Sequence, residues 1–462
     1  MRHHPNTVTD NADPLTTYNT TTNMKVQINQ ALLSGAIESA VLAISSKPCT
    51  PITGCIIVEA SEEENKITLK STDASFSINQ IIEADVEESG CVAVIGKKLK
   101  DTVLTLNGEL TLSSDEQYLT ITYESGLCRL AVNNNLDEFP QIEDSIKDTD
   151  PIGTLKLSAL KFEKAISKVL YGAASDETKM VLTGTNFNIT GDKLYTTTTD
   201  GHRVGRICMS LDKNNDEDEN QLNFTIPAKI LTSILKVLQR NAENNDCLIN
   251  VFSKIVEINM PEIKIISRLL DGTYPAIESI IPKKFIYEFT VERKAFQATI
   301  KRVENLAHEK DKSVLVSFSV NNCNAIVSTE SSDYGEAYDS ISIKPKTETS
   351  EDISIGFNID YLTQAINSID TDEIVIKCNT HTTPIVICPI GGLLEQTALV
   401  MPLQIRRSSF TTDAKTPAAT EETAPASDDN DTLPENTTPA PKTKISTKKN
   451  TSTKGRKLKV AA

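Results

Sequence analysis

The chain has no tryptophan, and aromatic residues make up only 5% of its 462 positions. Its core is therefore expected to be aliphatic, as in sheets rich in Ile, Leu and Val. Histidine is scarce, with five residues, two of them among the first four and none at HxxxH spacing, which argues against a zinc site. The nine cysteines are odd in number, scatter from Cys49 to Cys388 and never form CxxC, so they are expected to be reduced and mostly buried thiols. No apolar run approaches the roughly 18 to 20 residues that cross a bilayer, and the first residues lack the apolar stretch of a secretory signal. The expected compartment is the cytoplasm, with no membrane partner and no cofactor.

Basic residues are also in deficit: 47 Lys and Arg against 63 Asp and Glu leave a net charge of -16. That balance argues against a broad basic surface, but only on average, because the position of each cation matters more than the total.

The length allows about three domains of roughly 100 to 200 residues each. Residues 1–23 are rich in Thr and Asn and read as a disordered extension, with Met24 opening the first strand-like segment. Residues 408–462 form a Thr/Pro-rich tail ending in a Lys-rich run, 442–459, which cannot bury a core. Between them a weak threefold repeat emerges. Residues 28–37 align with 157–166 and 291–300, matching Leu33 with Phe162 and Phe296, and Ile37 with Ile166 and Ile300. A second element, starting at Ile95, Ile226 and Phe357, recurs at equal spacing, each time passing from strand to helix.

Apolar residues three and four apart (Phe162, Ile166, Val169; Ile230, Ile234, Leu238) give these helices one buried stripe. Short alternating runs such as 66–70, 118–122 and 374–376 read as strands. The expected fold is α+β: three repeated domains, each with two helices on antiparallel sheet, bounded at 24–150, 151–285 and 286–407.

Two motifs suggest chemistry. Gly90 to Lys98 resembles a phosphate loop, but it has five residues between its glycines and Lys98 where Ser or Thr would bind magnesium, so nucleotide binding is discounted. Thr199-Asp200-Gly201-His202-Arg203 places three ionisable groups within five residues. Asp200 and His202 could form the acid/base pair of a hydrolase, yet no GxSxG elbow or second nearby histidine completes a site. The first repeat carries the related Ser71-Thr72-Asp73, which favours a structural turn. A hydrolase, or a non-catalytic scaffold of repeats, are the competing functions.

The cations fall on the helices: Lys97, Lys98 and Lys100; Lys161, Lys164 and Lys168; Lys229, Lys236 and Arg240; Arg293, Lys294, Lys301 and Arg302. Helix surfaces ordinarily carry lysine, which is one explanation. The other is that all the helices face a shared axis and line it with positive charge, a channel that would hold a polyanion without reading its sequence. Twelve helix axes about 10 Å apart, from two chains joined head to tail, give a ring roughly 38 Å across. Subtracting a helix radius on each side leaves a hole of roughly 28 Å, wide enough for duplex DNA.

Taken together, several motifs carry a resemblance over residues 24–407. They are Asp176-Glu177-Thr178-Lys179 with Val181-Leu182-Thr183-Gly184, the 199–203 motif, Ile226-Pro227-Ala228-Lys229, Leu270-Asp271-Gly272-Thr273-Tyr274-Pro275 and Leu399-Val400-Met401-Pro402. In this order they resemble the family of bacterial DNA polymerase III beta subunits, the DNA sliding clamps. Gly391-Gly392-Leu393 and Gln404-Ile405-Arg406 look like its cyanobacterial branch.

The resemblance implies a ring-shaped homodimer of three-domain chains that encircles double-stranded DNA and tethers the replicative polymerase, placed there by an ATP-driven clamp loader. It also implies that no bond is broken, polymerase activity belonging to the holoenzyme. Partners, among them the polymerase III alpha subunit and other proteins with a clamp-binding motif, would insert Leu and Phe anchors into a pocket between the second and third domains. The matching positions are Leu182, Thr199, Gly201, His202, Arg203, Val204, Pro275, Ile280, Leu399, Val400, Met401 and Pro402. Implied DNA contacts are Lys47 and Lys179, with Lys97, Lys98, Lys100, Lys164, Lys168, Lys229, Lys236, Arg240, Lys294 and Lys301 on the helices. Leu130, Val132 and Leu306 match the subunit interface.

Two departures stand out: Asn305, where an aliphatic interface residue is common, and Ser279, in place of a frequent pocket arginine. The tail is unusual as well. It reads either as a solvated linker or as a segment whose 442–459 run adds DNA or partner affinity through counterion release.

Overall fold

Each domain begins with an alternating strand that delivers a polar residue to cap a helix. Asn29, Ser158 and Glu292 accept hydrogen bonds from the backbone N–H groups of Ala31, Lys161 and Ala295, which would otherwise lack partners at the first turn. Leu33 and Ile37, Phe162 and Ile166, and Phe296 and Ile300 then turn inward and are all buried, as the repeat predicts. The structure is a computed structural model describing residues 23–404 apart from 46, 212–220, 242–244, 310–311, 348 and 393. The expectations for residues 1–22, for Leu393, Ile405 and Arg406, and for the 408–462 tail lie outside the described residues.

The first domain runs β1 (Lys25–Asn29), α1 (Gln30–Ala40), β2 (Cys55–Ser61), β3 (Lys66–Thr72), β4 (Phe76–Glu83), β5 (Asp85–Glu88), β6 (Gly90–Ile95), α2 (Gly96–Val103), β7 (Glu109–Ser114), β8 (Tyr118–Tyr123) and β9 (Gly126–Asn133). The second runs β10 (Gly153–Ser158), α3 (Ala159–Ser167), β11 (Gly184–Thr190), β12 (Lys193–Thr199), β13 (Arg203–Ser210), β14 (Asn223–Pro227), α4 (Ala228–Asn241), β15 (Asp246–Val251), β16 (Ile255–Met260) and β17 (Ile263–Arg268). The third runs β18 (Tyr287–Glu292), α5 (Arg293–Glu304), β19 (Ser313–Ser319), β20 (Asn324–Ser331), β21 (Gly335–Ser342), β22 (Lys344–Pro345), β23 (Ile353–Asn358), α6 (Ile359–Asn367), β24 (Glu373–Cys378), β25 (Ile385–Pro389) and β26 (Glu395–Val400).

One part of the repeat shifts. The second helices follow Ile95, Pro227 and Asn358, so the first copy is offset by one residue from an alignment that starts at Ile95, Ile226 and Phe357. The buried Leu99, Leu231 and Leu362 set the true register. Ile230 and Leu231 are both buried, so apolar character alone did not separate the two alignments.

The sheets cross the domain borders, which the repeat did not reveal. β4 of the first domain pairs antiparallel with β17 of the second, Ile78 opposite Ile265. β13 of the second pairs in the same way with β26 of the third, Val204 opposite Leu399. In both cases the third strand after a domain's first helix joins the last strand of the following domain. The corresponding strand of the third domain, β21, ends a four-stranded sheet. The corresponding last strand of the first domain, β9, pairs with β8 along its length and meets β6 only through Val132 and Asn133.

The helices form one row. α1 packs on α2, α3 on α4 and α5 on α6. Glu38 of α1 joins Arg240 of α4 at 3.0 Å, and Lys168 just beyond α3 joins Asp370 just beyond α6. The order is therefore α2, α1, α4, α3, α6, α5.

The core is less purely aliphatic than composition suggests. Six of the twelve phenylalanines are less than 2% exposed, and Phe289 stacks on Phe318 with centroids 4.5 Å apart. All nine cysteines are free; burial pushes the thiols of Cys91, Cys247 and Cys378 up to about 12. Among the described residues no helix is long and apolar enough to cross a membrane, and no cluster of three or more potential metal ligands occurs.

Candidate functional site

The loop that resembles a phosphate cradle is packed with hydrocarbon. A Cβ on Gly96 would lie 2.1 Å from Ile44 Cδ1, so this glycine lets α2 approach the core.

The 199–203 motif is a turn joining β12 to β13. Asp200 Oδ1 accepts the backbone N–H groups of His202 at 2.8 Å and Arg203 at 3.0 Å, while Oδ2 accepts from Arg203 Nε at 2.9 Å. The carboxylate is thus occupied by the turn and by Arg203, and the imidazole of His202 stacks on Tyr361 instead, centroids 6.0 Å apart. The acid/base pair required by the hydrolase alternative is not assembled. Gly201 takes φ +93° at the apex, where a side chain would strain the backbone.

The first repeat builds the same turn. Asp73 Oδ1 accepts from the N–H groups of Ser75 and Phe76, both at 2.9 Å, and Ala74 takes φ +72°. The chain returning from the next domain closes both turns alike: Met401 N–H donates to the His202 carbonyl at 2.8 Å, and Arg268 N–H to the Ser75 carbonyl at 2.9 Å. The structural reading of Ser71-Thr72-Asp73 therefore extends to Thr199-Asp200-Gly201.

From this turn an apolar row crosses three strands, with Val204 of β13 opposite Leu399 of β26 and Leu399 opposite Val386 of β25. Leu182, Tyr274 and Ile277 join these three in one buried cluster, rimmed by half-buried residues including Val181, Phe285, Cys388 and Met401. Leu182, Val204, Leu399 and Met401 were all expected here. Pro275 and Ile280 lie exposed on the segment that carries Tyr274 and Ile277, Pro402 is half-buried after Met401, and Gly201 and His202 are exposed on the turn. Buried Thr199 anchors that segment through its N–H, which donates to the Tyr274 hydroxyl at 2.9 Å. Burial raises the Tyr274 phenol well above its ordinary value.

Two expected lining residues face elsewhere. Val400 packs into the third-domain core, because strand alternation turns it away from Leu399. Arg203 precedes Val204 and is likewise on the opposite face. Its guanidinium lies 4.6 Å from the Tyr361 ring centroid and 5.8 Å from that of Tyr171, and it also bonds Gln364 of α6. Conversely, Tyr274, Ile277, Val386 and Cys388 were missed, although alternation in 385–388 and the quoted motif around Tyr274 carried the signal.

The candidate DNA residues divide. Lys47, Lys97, Lys98, Lys179, Lys229, Lys236, Lys294 and Lys301 are exposed, and Lys164 is half-buried. Lys100 and Arg240 both approach Glu38, at 3.9 and 3.0 Å, and Lys168 is paired with Asp370. Of the interface candidates, Leu130 and Val132 are half-buried on β9 and Leu306 is half-buried after α5. Asn305 lines a cavity of about 260 Å³ with Glu304, Lys312 and Tyr334.

Three repeated domains, a single row of paired helices and sheets that run through the domain borders define a DNA clamp fold. The structure of the DNA polymerase III beta subunit from Thermotoga maritima has this fold, with a TM-score of 0.75 and 23% identity over 83% of the chain and all of that protein. Three family signatures match in sequence: DNA polymerase III beta subunit N-terminal domain over 24–143, central domain over 156–276 and C-terminal domain over 278–404. The beta sliding clamp of Synechocystis sp. is 30% identical over 400 residues, covering 83% of this chain and 100% of the relative, and that of Synechococcus elongatus is 26% identical over 386 residues, covering 83% and 100%. The chain belongs to the DNA polymerase III beta subunit family, the beta sliding clamps. Its work is that of a DNA sliding clamp in replication, a processivity factor without catalysis of its own.

Proposed function

We propose that two copies of this chain close head to tail into a ring, with β21 of each pairing antiparallel with β9 of the other. The observation that carries this is the rule obeyed at both internal borders, where the third strand after a domain's first helix takes the last strand of the next domain as its neighbour. β21 and β9 occupy those two positions, and among the described residues neither pairs with a strand of another domain. Their unpaired edges carry large apolar side chains, Leu127 being 54% exposed on β9 and Tyr338 73% exposed on β21. Leu130, Val132 and Leu306 then lie at the subunit border.

In such a ring the helix row of each copy lines the hole. The exposed lysines of that row, with Lys47 and Lys179, hold duplex DNA by sequence-independent contacts. The cluster around Leu399 receives Leu and Phe anchors of the polymerase alpha subunit, the clamp loader and other motif-bearing partners. The chain acts in the cytoplasm, with domains bounded at 24–150, 151–285 and 286–407.

The test is retention on DNA after loading with clamp loader and ATP. The protein should stay on a closed circle and be lost once the circle is cut. Equal retention on both forms, or a monomer in sedimentation at micromolar concentration, overturns the reading.

A further inference from the structure

The wall of the peptide cluster formed by residues 271–281 is a strap, not a strand. Tyr274 and Ile277 face the cluster. Behind the strap lies a cavity of about 190 Å³ lined on its far side by Asn186, Asn188, Tyr195, Thr197 and Asn223. On that side the wall is not backed by packed hydrocarbon, so polar links add to the burial of Tyr274 and Ile277 in setting its position. The Tyr274 hydroxyl holds one end. At the other, Asn379 Nδ2 donates to the Lys284 carbonyl at 3.0 Å.

Between those points, among the described residues, one polar link ties the strap to the sheet: Arg206 Nη2 to Glu278 Oε1 at 2.7 Å. Arg206 is suited to the task. Its side chain is only 13% exposed, and its guanidinium lies 4.4 Å from the Tyr195 ring centroid, so the cation is held from below before Glu278 reaches it. Arg206 also sits on β13, opposite Thr397 of β26, so the link is anchored where the second and third domains join.

We propose that Arg206 and Glu278 are positioning residues, a clasp that holds the strap against the sheet and so sets the width of the peptide pocket. Neither side chain belongs to the apolar cluster. They act through Ile277, next to Glu278, and through Pro275 and Ile280 on either side. This rests on the reading of that cluster as a partner-peptide pocket.

The test uses the full chain, a fluorescein-labelled short peptide with Leu and Phe anchors, and three proteins: wild type, Glu278→Ala and the charge-swapped Arg206→Glu/Glu278→Arg. Releasing the strap makes the peptide order it on binding, so Glu278→Ala should weaken affinity by roughly five- to tenfold. The swap re-forms the ion pair but gives up the stacking on Tyr195, so it should restore part of that loss. Hydrogen exchange of 272–281 in the free protein should quicken in Glu278→Ala and slow again in the swap, with unchanged circular dichroism. Equal affinity and equal exchange in all three overturn the clasp while leaving the pocket reading intact, as does a swap that folds but restores neither quantity. Failure of the wild-type protein to bind the peptide overturns the pocket reading, and the clasp's role falls with it.

Discussion

At the border between the first and second domains, Phe76 stands where Arg203 stands at the next one, in turns with the same hydrogen bonds. Phe76 is buried in a core shared by both domains, whereas Arg203 is held among Tyr171, Tyr361 and Asp200. On the opposite face of the same strands, Ser77 and Arg268 of the first border correspond to Val204 and Met401 of the second. The first linker presses Ile142 against Phe252, Ile255 and Ile266, while the second leaves Ile280 exposed. One backbone frame thus makes a sealed joint in one place and an apolar cleft in another. The side chains on either face of the crossing strand decide which.

The two borders should differ most when Phe76 or Arg203 is lost. Phe76→Ala should cost about 3–5 kcal/mol, because it empties a shared core, whereas Arg203→Met should cost about 1–3 kcal/mol in lost cation–π and ion-pair contacts. Urea unfolding of both variants checks the order, and equal losses would mean that the two joints are not built differently. Giving the second border the first border's residues, Val204→Ser with Met401→Arg, should weaken anchor-peptide binding by about 2 kcal/mol, or roughly thirtyfold, in a fluorescence titration. Retained affinity would show that the cleft does not depend on its strand face.

The second border also holds two phenols raised by burial, Tyr171 and Tyr274. The folded state keeps their protons when the unfolded chain releases them near pH 10, so their stabilisation is complete below that pH and is lost as pH rises above it. At pH 11 the loss should be roughly 1.4 kcal/mol per phenol. Comparing wild type with Tyr171→Phe/Tyr274→Phe at pH 8 and 11 isolates this loss from that of the buried thiols. The smallest effect lies at the turn apices. Ala74→Gly should stabilise by about 0.5–1 kcal/mol, and Gly201→Ala should destabilise by about 1 kcal/mol. Thermal melts of the pair check the sign, and no atom lies close enough to Gly201 to add a steric cost.

How much of this was legible before folding varies by feature. The first helix of each domain was plain, because the capping residue and the 3-4 spacing act within a dozen residues. The parity of 399–402 was also available, since Leu399 and Val400 must face opposite ways in any strand, yet the motif as a block concealed it. Arg203 could not be placed from the chain alone, since its aromatic partner Tyr361 lies in another domain. The Glu38–Arg240 and Lys168–Asp370 pairs were hidden for the same reason: a run of helix cations does not say which of them a distant carboxylate will engage.

By itself the amino-acid order determined the repeated units, their helix faces and the two Asp-centred turns, because hydrogen bonding and apolar spacing over short separations suffice to specify them. Folding alone decided that sheets run through the borders, that one border seals while the next stays open, and that one side of β21 and most of one side of β9 have no partner strand among the described residues. Those outcomes depend on which strand edges and side chains meet across more than a hundred residues, and only close packing selects among the possible pairings.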